Sequence, residues 1–191
     1  RLLIVTTLIQ VLIFLLSVYM VSVQKSVSVF SLLDFSSEVI IPTFLFTLIQ
    51  GPAGEETGWR GHLQPAMEEK FGTVKGSFLV GLIWAIWHAP IWFLGTGYHG
   101  TELLKYSIVF ATTIASLGFI MGLCCHYCRN LIIPIWMHFV LNFLSETFTA
   151  YKLDMVSWYA VFYLITAVGF ALYHRKKERW AMKIRKFHFC E

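Results

Sequence analysis

Charge is what this sequence has least of. Only 14% of its 191 residues are Asp, Glu, Lys or Arg, whereas a soluble domain carries about 25%. So few charges do not dress a water-facing surface, and the deficit places the chain in the membrane class before any motif is read. Other absences narrow the chemistry. There is no HExxH, no GxSxG and no phosphate-binding glycine loop, so zincin, serine-hydrolase and nucleotide-dependent readings have no support. There is no internal repeat of the kind that builds many transporters and no low-complexity tract. Cysteines number four. Three of them, Cys124, Cys125 and Cys128, form CCHYC with His126, but no second ligand pair stands at a zinc-finger spacing, and Cys190 is remote. They read as small polarizable residues at a helix end, and no disulfide framework is implied.

What fills the chain instead is apolar sequence: 57% hydrophobic residues and a mean hydropathy of +0.66. A bilayer core of about 30 Å takes about 20 apolar residues in a helix. Leu2 to Val23 meets that length and reads as a span rather than a signal peptide, since it is long for such a segment and has no small-residue cleavage site. The chain opens on Arg1, not Met, which reads as a trimmed start. Residues 24–37 are a polar connection, and Glu38 to Gln50 is a second, short apolar segment. The stretch from Pro52 to Gly72 is polar and reads as amphipathic or re-entrant. Val74–Leu94, Leu103–Cys125, Leu131–Phe148 and Ser157–Tyr173 complete the set. The expectation is an all-α, polytopic transmembrane bundle of about six spans. It divides into a first helix and connection (1–37), a central core (38–149), and a last helix with a basic tail (150–191).

The charges present are placed unevenly. Seven of the fifteen Lys and Arg residues follow His174. A basic run directly after an apolar span marks a cytoplasmic membrane flank, and adjacency to the span argues against a nucleic-acid partner. Six alternating spans then put twelve Lys and Arg on the inner side and three (Lys25, Lys105, Lys152) on the outer. This asymmetry supports an integral membrane protein whose C-terminal tail is cytoplasmic.

Ionisable groups inside such segments cost about 2.5–3.5 kcal/mol each on insertion scales and mark functional positions. In GEETGWRG, Glu56 and Arg60 are spaced i,i+4 and share a helix face, while Glu55 points about 100° away. One carboxylate is thereby set to pair with the arginine while the other stays free for general-base work. The competing reading is a solvated amphipathic turn. His88 lies among Trp84, Trp87 and Trp92, two residues before Pro90, which weakens the local helix. The competing reading there is a core histidine bonded to a carbonyl. His138 and Asn142 are again i,i+4 and are able to donate jointly to one anionic oxygen, or else to serve as polar contacts between helices. Depth is the difficulty. Glu55 falls at the inner end of its segment and His138 about 10 Å into its span, but His88 is about 20 Å past Val74.

An EExxxR motif, a histidine in an aromatic span and a later HxxxN, in that order, resemble the CPBP family, which contains the CaaX prenyl endopeptidases and the bacterial bacteriocin-processing and immunity (Abi) proteins. The resemblance covers about Glu38 to Thr149. It implies a glutamic intramembrane endopeptidase in which Glu55 activates a water, Glu56 and Arg60 order the turn, His88 assists the water and the leaving amine, and His138 and Asn142 hold the oxyanion. Where the family has FxxxH, this chain has Trp84-Ala85-Ile86-Trp87-His88, which keeps a ring on the histidine's face. No cofactor is required. Glu55, His88 and His138 are, as residue types, also a set that suits zinc. The implied partners are the bilayer and a membrane-associated peptide or protein, and the compact size suits a bacterial cell membrane. Rival readings are a non-proteolytic scaffold or immunity protein of the same family, and a transporter.

Overall fold

The structure, a computed structural model, describes residues 1–188, with side chains for all of these except 48–50 and 180–188. Cys190, and the side chains of Lys183, Arg185 and Lys186 in the basic tail, lie outside the described residues. The chain is all helix: α1 (Leu2–Lys25), α2 (Ser37–Gln50), α3 (Pro52–Gly58), α4 (Gln64–Phe71), α5 (Thr73–Trp87), α6 (Ala89–Leu94), α7 (Gly100–Cys128), α8 (Ile132–Glu146) and α9 (Lys152–His188). A 3₁₀ turn (Val29–Leu32) follows α1, and a π turn (Trp59–Leu63) joins α3 to α4. Among the described residues the one piece of β pairing is an isolated bridge between Leu33 and Phe148.

All six apolar segments are helical, but they are not equal. Four stretches are long and apolar enough to cross a bilayer: Leu2–Lys25, Thr73–Leu94, Gly100–Cys128 and Lys152–Arg179. The others, α2 with 14 residues and α8 with 15, fall short of the roughly 20 residues an upright crossing takes. Helix α7 is the centre of the bundle. Two thirds of its apolar stretch (67%) is covered by protein, against 28–33% for the other three. The outer helices keep leucine and isoleucine exposed, as lipid-facing surfaces do.

Close approach of α5 to α7 rests on small residues. Ser77 and Gly81, four apart on α5, meet Gly122 and Gly118, a GxxxG pair, on α7. A Cβ on Gly81 would stand 2.6 Å from the Ala115 carbonyl oxygen, one on Gly118 2.7 Å from the Gly81 Cα, and one on Gly122 2.7 Å from Ser77 Oγ. In lipid, helices associate through such backbone proximity, since apolar side chains gain little by leaving other hydrocarbon.

The stretch from Pro52 to Phe71 packs back along α5 as a helical hairpin. Its turn is Gly72, at φ +77°, a left-handed conformation that glycine adopts without Cβ strain. The register is visible in the pairs across it. Gln64 Nε2 donates to Ser77 Oγ (2.8 Å) and Trp84 Nε1 donates to Glu55 Oε2 (2.8 Å). Glu56, Arg60 and Gln64, each four residues apart, are all buried against the bundle.

Alternation of the helices is visible at both ends. The Asp34 N–H donates to the Thr147 carbonyl (2.9 Å) and the Thr149 N–H to the Leu32 carbonyl (3.1 Å), while Lys25 pairs with Asp154 at 2.9 Å. The α1–α2 and α8–α9 connections therefore share one end. At the other, His126 near the end of α7 meets Glu68 at 3.0 Å. Placing a side chain at the glycine seam should be costly: Gly81→Ala is expected to lose about 1–3 kcal/mol in thermal unfolding of the detergent-solubilised protein. Gly169→Ala, where a Cβ meets nothing within 4 Å, should leave the transition unchanged or raise it.

Candidate active site

The site begins with a buried carboxylate. Glu56 has no exposed surface and Arg60 is 3% exposed. Arg60 Nη1 donates to both oxygens of Glu56, at 2.9 and 2.8 Å. Across the helix interface, Nδ1 of the buried His138 lies 3.0 Å from Glu56 Oε1. A carboxylate that already takes an arginine acts as acceptor, so His138 Nδ1 carries a proton and donates, and its Nε2 is left facing outward from the pair. The arginine's charge is spread over an aromatic face: its guanidinium carbon sits 4.5 Å from the centre of the Trp84 ring, an attraction that strengthens away from water. Gly118 makes the room, since a Cβ there would lie 2.9 Å from Arg60 Nη2.

Trp84 connects this charged pair to the rest of the site. Its indole N–H donates to Glu55 Oε2 and its ring edge meets His138 with centroids 4.9 Å apart. Its backbone carbonyl accepts from His88 Nδ1 at 2.7 Å. That carbonyl is reachable because α5 ends here. The His88 N–H bonds to Ala85, three residues back, at 3.2 Å, and Pro90 supplies no N–H to continue the ladder. A carbonyl only accepts, so the proton is on Nδ1 and the lone pair of neutral His88 is on Nε2. The second ring contact of His88 is Phe110 at 5.4 Å.

Glu55, His88, His138 and Asn142 all line one cavity of about 650 Å³, together with Gly51. This is within the roughly 300–1,000 Å³ usual for ligand sites. A Cβ built on Gly51 would be 3.7 Å from Glu55 Oε1 and 3.7 Å from His138 Nε2, so both atoms look into the same space. Walls come from Phe46 on α2, Ile91 on α6, Tyr106 and Ile114 on α7, and Tyr159 on α9, with Glu146 and Lys152 also lining it. Among the described residues, no three His, Cys, Asp or Glu side chains draw together closely enough to hold a metal ion, the set Glu55, His88 and His138 included.

Each residue singled out from the sequence is thus accounted for in space. The i,i+4 pair Glu56–Arg60 is bonded and Glu55 is the carboxylate without a charged partner. One expectation is corrected. Glu55 is not at the inner end of its segment. The hairpin carries it about 25 Å back from the Gly72 turn, and His88 lies about 24 Å past that turn, at 1.5 Å per residue. The two are level because they flank the turn almost symmetrically. Two contacts were missed. The Trp84 N–H reads in sequence as one ring among several, and the Glu56–His138 bond joins positions 82 residues apart. The GxxxG spacing at Gly118 and Gly122 was the available signal for the seam that admits Arg60.

Residues 37–144 match the family described as type II CAAX prenyl endopeptidase Rce1-like. The chain is also 26% identical, over 147 residues, to the CAAX prenyl protease 2 of Methanococcus maripaludis. That alignment takes in 75% of this chain and 53% of the relative, so the chain spans about half the length of the curated protein it matches. The matched region runs from α2 through α8 and holds every residue of the buried cluster, so the chain belongs to the type II CAAX prenyl endopeptidase, Rce1-like, family of membrane proteins.

Proposed function

We propose that the protein is an intramembrane endopeptidase that hydrolyses a peptide bond of a membrane-associated substrate, with Glu55 as general base. The observation that carries this reading is the unequal state of the two adjacent glutamates. Glu56 is neutralised by Arg60 and takes a further hydrogen bond from His138. Glu55 takes a single neutral donor, Trp84 Nε1, and keeps Oε1 toward the cavity. A carboxylate oriented but not neutralised retains its capacity to accept a proton.

In the proposed sequence, Glu55 Oε1 removes a proton from a water whose oxygen attacks the scissile carbonyl carbon. The carbonyl oxygen becomes an oxyanion within reach of Asn142 and His138. Donation from His138 Nε2 requires the imidazolium form, because Nδ1–H is already given to Glu56. Collapse of the tetrahedral intermediate breaks the C–N bond, and the departing amine takes a proton relayed by His88 Nε2, whose tautomer the Trp84 carbonyl holds. Fixed donors in a water-poor cavity are worth most where charge develops. The name of the Methanococcus relative supplies a substrate class to try: a peptide ending in a CAAX sequence with a prenylated cysteine. The basic flank on α9 supports a cytoplasmic C-terminal tail, and so does the excess of Lys and Arg on that side, which remains after Arg60, buried in the bundle, is left out of the count.

Glu55→Ala and Glu55→Gln should each lower turnover of a quenched fluorescent farnesyl-CAAX peptide by roughly 10²–10⁴-fold, with normal membrane insertion. His88→Ala should fall in the same direction. Cleavage by Glu55→Ala at the wild-type rate would refute Glu55 as the base, whereas wild-type protein that cleaves nothing would favour a non-proteolytic scaffold. An unprenylated twin of the peptide tests whether the lipid matters. Trp84→Phe keeps the ring and the His88 carbonyl but removes the N–H to Glu55. It is expected to lower kcat about tenfold, the value of a hydrogen bond to a charged group, with KM little changed. For orientation, a C-terminal green fluorescent protein fusion should fluoresce while a C-terminal alkaline phosphatase fusion stays inactive, and the reverse pattern would refute a cytoplasmic tail.

A further inference from the structure

The first helix lies outside the residues that match the family, 37–144, yet it is hydrogen-bonded to the part of α8 that carries His138. Gln10, 2% exposed in an otherwise apolar run, donates through Nε2 to the Met137 carbonyl at 2.8 Å and to Tyr163 Oη at 3.3 Å. One turn earlier on α1, Thr7 Oγ1 accepts from Trp136 Nε1 at 2.8 Å. Two consecutive residues of α8, Trp136 and Met137, are therefore held by two residues of α1, and the next residue along α8 is His138.

The chemistry at Gln10 is one-sided. Its Oε1 has no hydrogen-bond partner among the described residues. A buried acceptor left unpaired is a cost that a leucine of similar size would not carry, so stability alone does not account for a glutamine here. What the glutamine supplies is a donor aimed at one backbone carbonyl. That carbonyl belongs to the peptide plane joining Met137 to His138, and fixing the plane fixes the direction in which the His138 side chain departs. His138 Nδ1 must reach Glu56 at 3.0 Å with Nε2 toward the cavity, and a rotation of this plane alters both.

We propose that Gln10 is a positioning residue for His138, acting through the Met137 carbonyl, so that α1 tunes a site whose reacting groups all lie in the matched region. The proposal rests on the peptidase reading for its effect on rate, but not for its effect on the His138 ring. The test uses the full chain in detergent and the farnesyl-CAAX peptide. Gln10→Leu should lower kcat roughly tenfold to a hundredfold, the scale of a small misplacement of a reacting group, with KM within twofold. Gln10→Met, which keeps the length of the side chain but has no N–H, should do the same. Thr7→Val and Tyr163→Phe cut the neighbouring bonds but spare the one to Met137. They should keep kcat within twofold of wild type whatever they do to the Tm. In ¹⁵N-histidine spectra, assigned by loss of signal in His138→Gln, Gln10→Leu should move the His138 ring resonances and leave those of His88 in place. Unchanged His138 resonances in Gln10→Leu overturn the proposal, as does a fall in kcat that tracks Tm equally across all four variants. If wild-type protein cleaves nothing, the peptidase reading fails and the spectra alone decide the positioning role.

Discussion

A carboxylate sealed among helices is the constraint around which this bundle is arranged. Taking Glu56 and Arg60 out of water costs several kcal/mol per ion, which close pairing recovers only if the geometry is good and the remaining polar atoms are occupied. Here His138 adds a hydrogen bond to Glu56 and the face of Trp84 covers the guanidinium, while Arg60 Nε and Nη2 have no hydrogen-bond partner among the described residues. Removing one partner would leave an uncompensated buried charge, at about 3–5 kcal/mol. The surroundings follow from that demand. The α5–α7 glycine seam brings backbones close enough to exclude lipid, and its Gly118 leaves the gap in which the guanidinium sits. The hairpin through Gly72 carries both charges inward. The cluster reads as architecture first: it fixes α3, α5 and α8 relative to one another at the level of the cavity.

Trp84 divides the two adjacent glutamates into different electrostatic situations. Its ring takes up part of the arginine's charge on the Glu56 side, and its N–H orients Glu55 without neutralising it. The same residue, through its carbonyl, selects the tautomer of His88. One tryptophan thereby sets the donor and acceptor pattern of two of the four cavity groups proposed to act on substrate. An aromatic residue lacking an N–H at this place would keep the packing and the carbonyl but lose the hold on Glu55. That is why the departure from the phenylalanine usual in the related motif bears on the chemistry as well as on pocket shape.

The breaks in the helices serve the same end. Continuous helices bury their own carbonyls and amides, which is what lipid requires. Non-helical or wide turns occur here at Gly51, at the π turn Trp59–Leu63 and at His88, all beside the cluster or the cavity. Wide π turns are frequent at functional positions. Gly51 leaves space between Glu55 Oε1 and His138 Nε2, and the interruption at His88 turns a backbone carbonyl toward an imidazole.

Much of this was legible in the residues alone. Apolar run length determined that the chain is a helical membrane bundle, because lipid offers backbone groups no partner outside a helix. The high cost of burying charge picked out Glu55, Glu56, Arg60, His88, His138 and Asn142, and i,i+4 spacing paired Glu56 with Arg60, since those contacts lie within one helix. What spacing does not carry is the meeting of distant segments. The depth of Glu55 depends on a turn at Gly72 that folds one helix back on the next. Trp84 to Glu55, Glu56 to His138 and Gln10 to Met137 join residues 29, 82 and 127 apart in the chain. Local periodicity decides which face of a helix is polar. Only the packing of helices, set here by glycine contacts and a sealed ion pair, decides which polar faces meet.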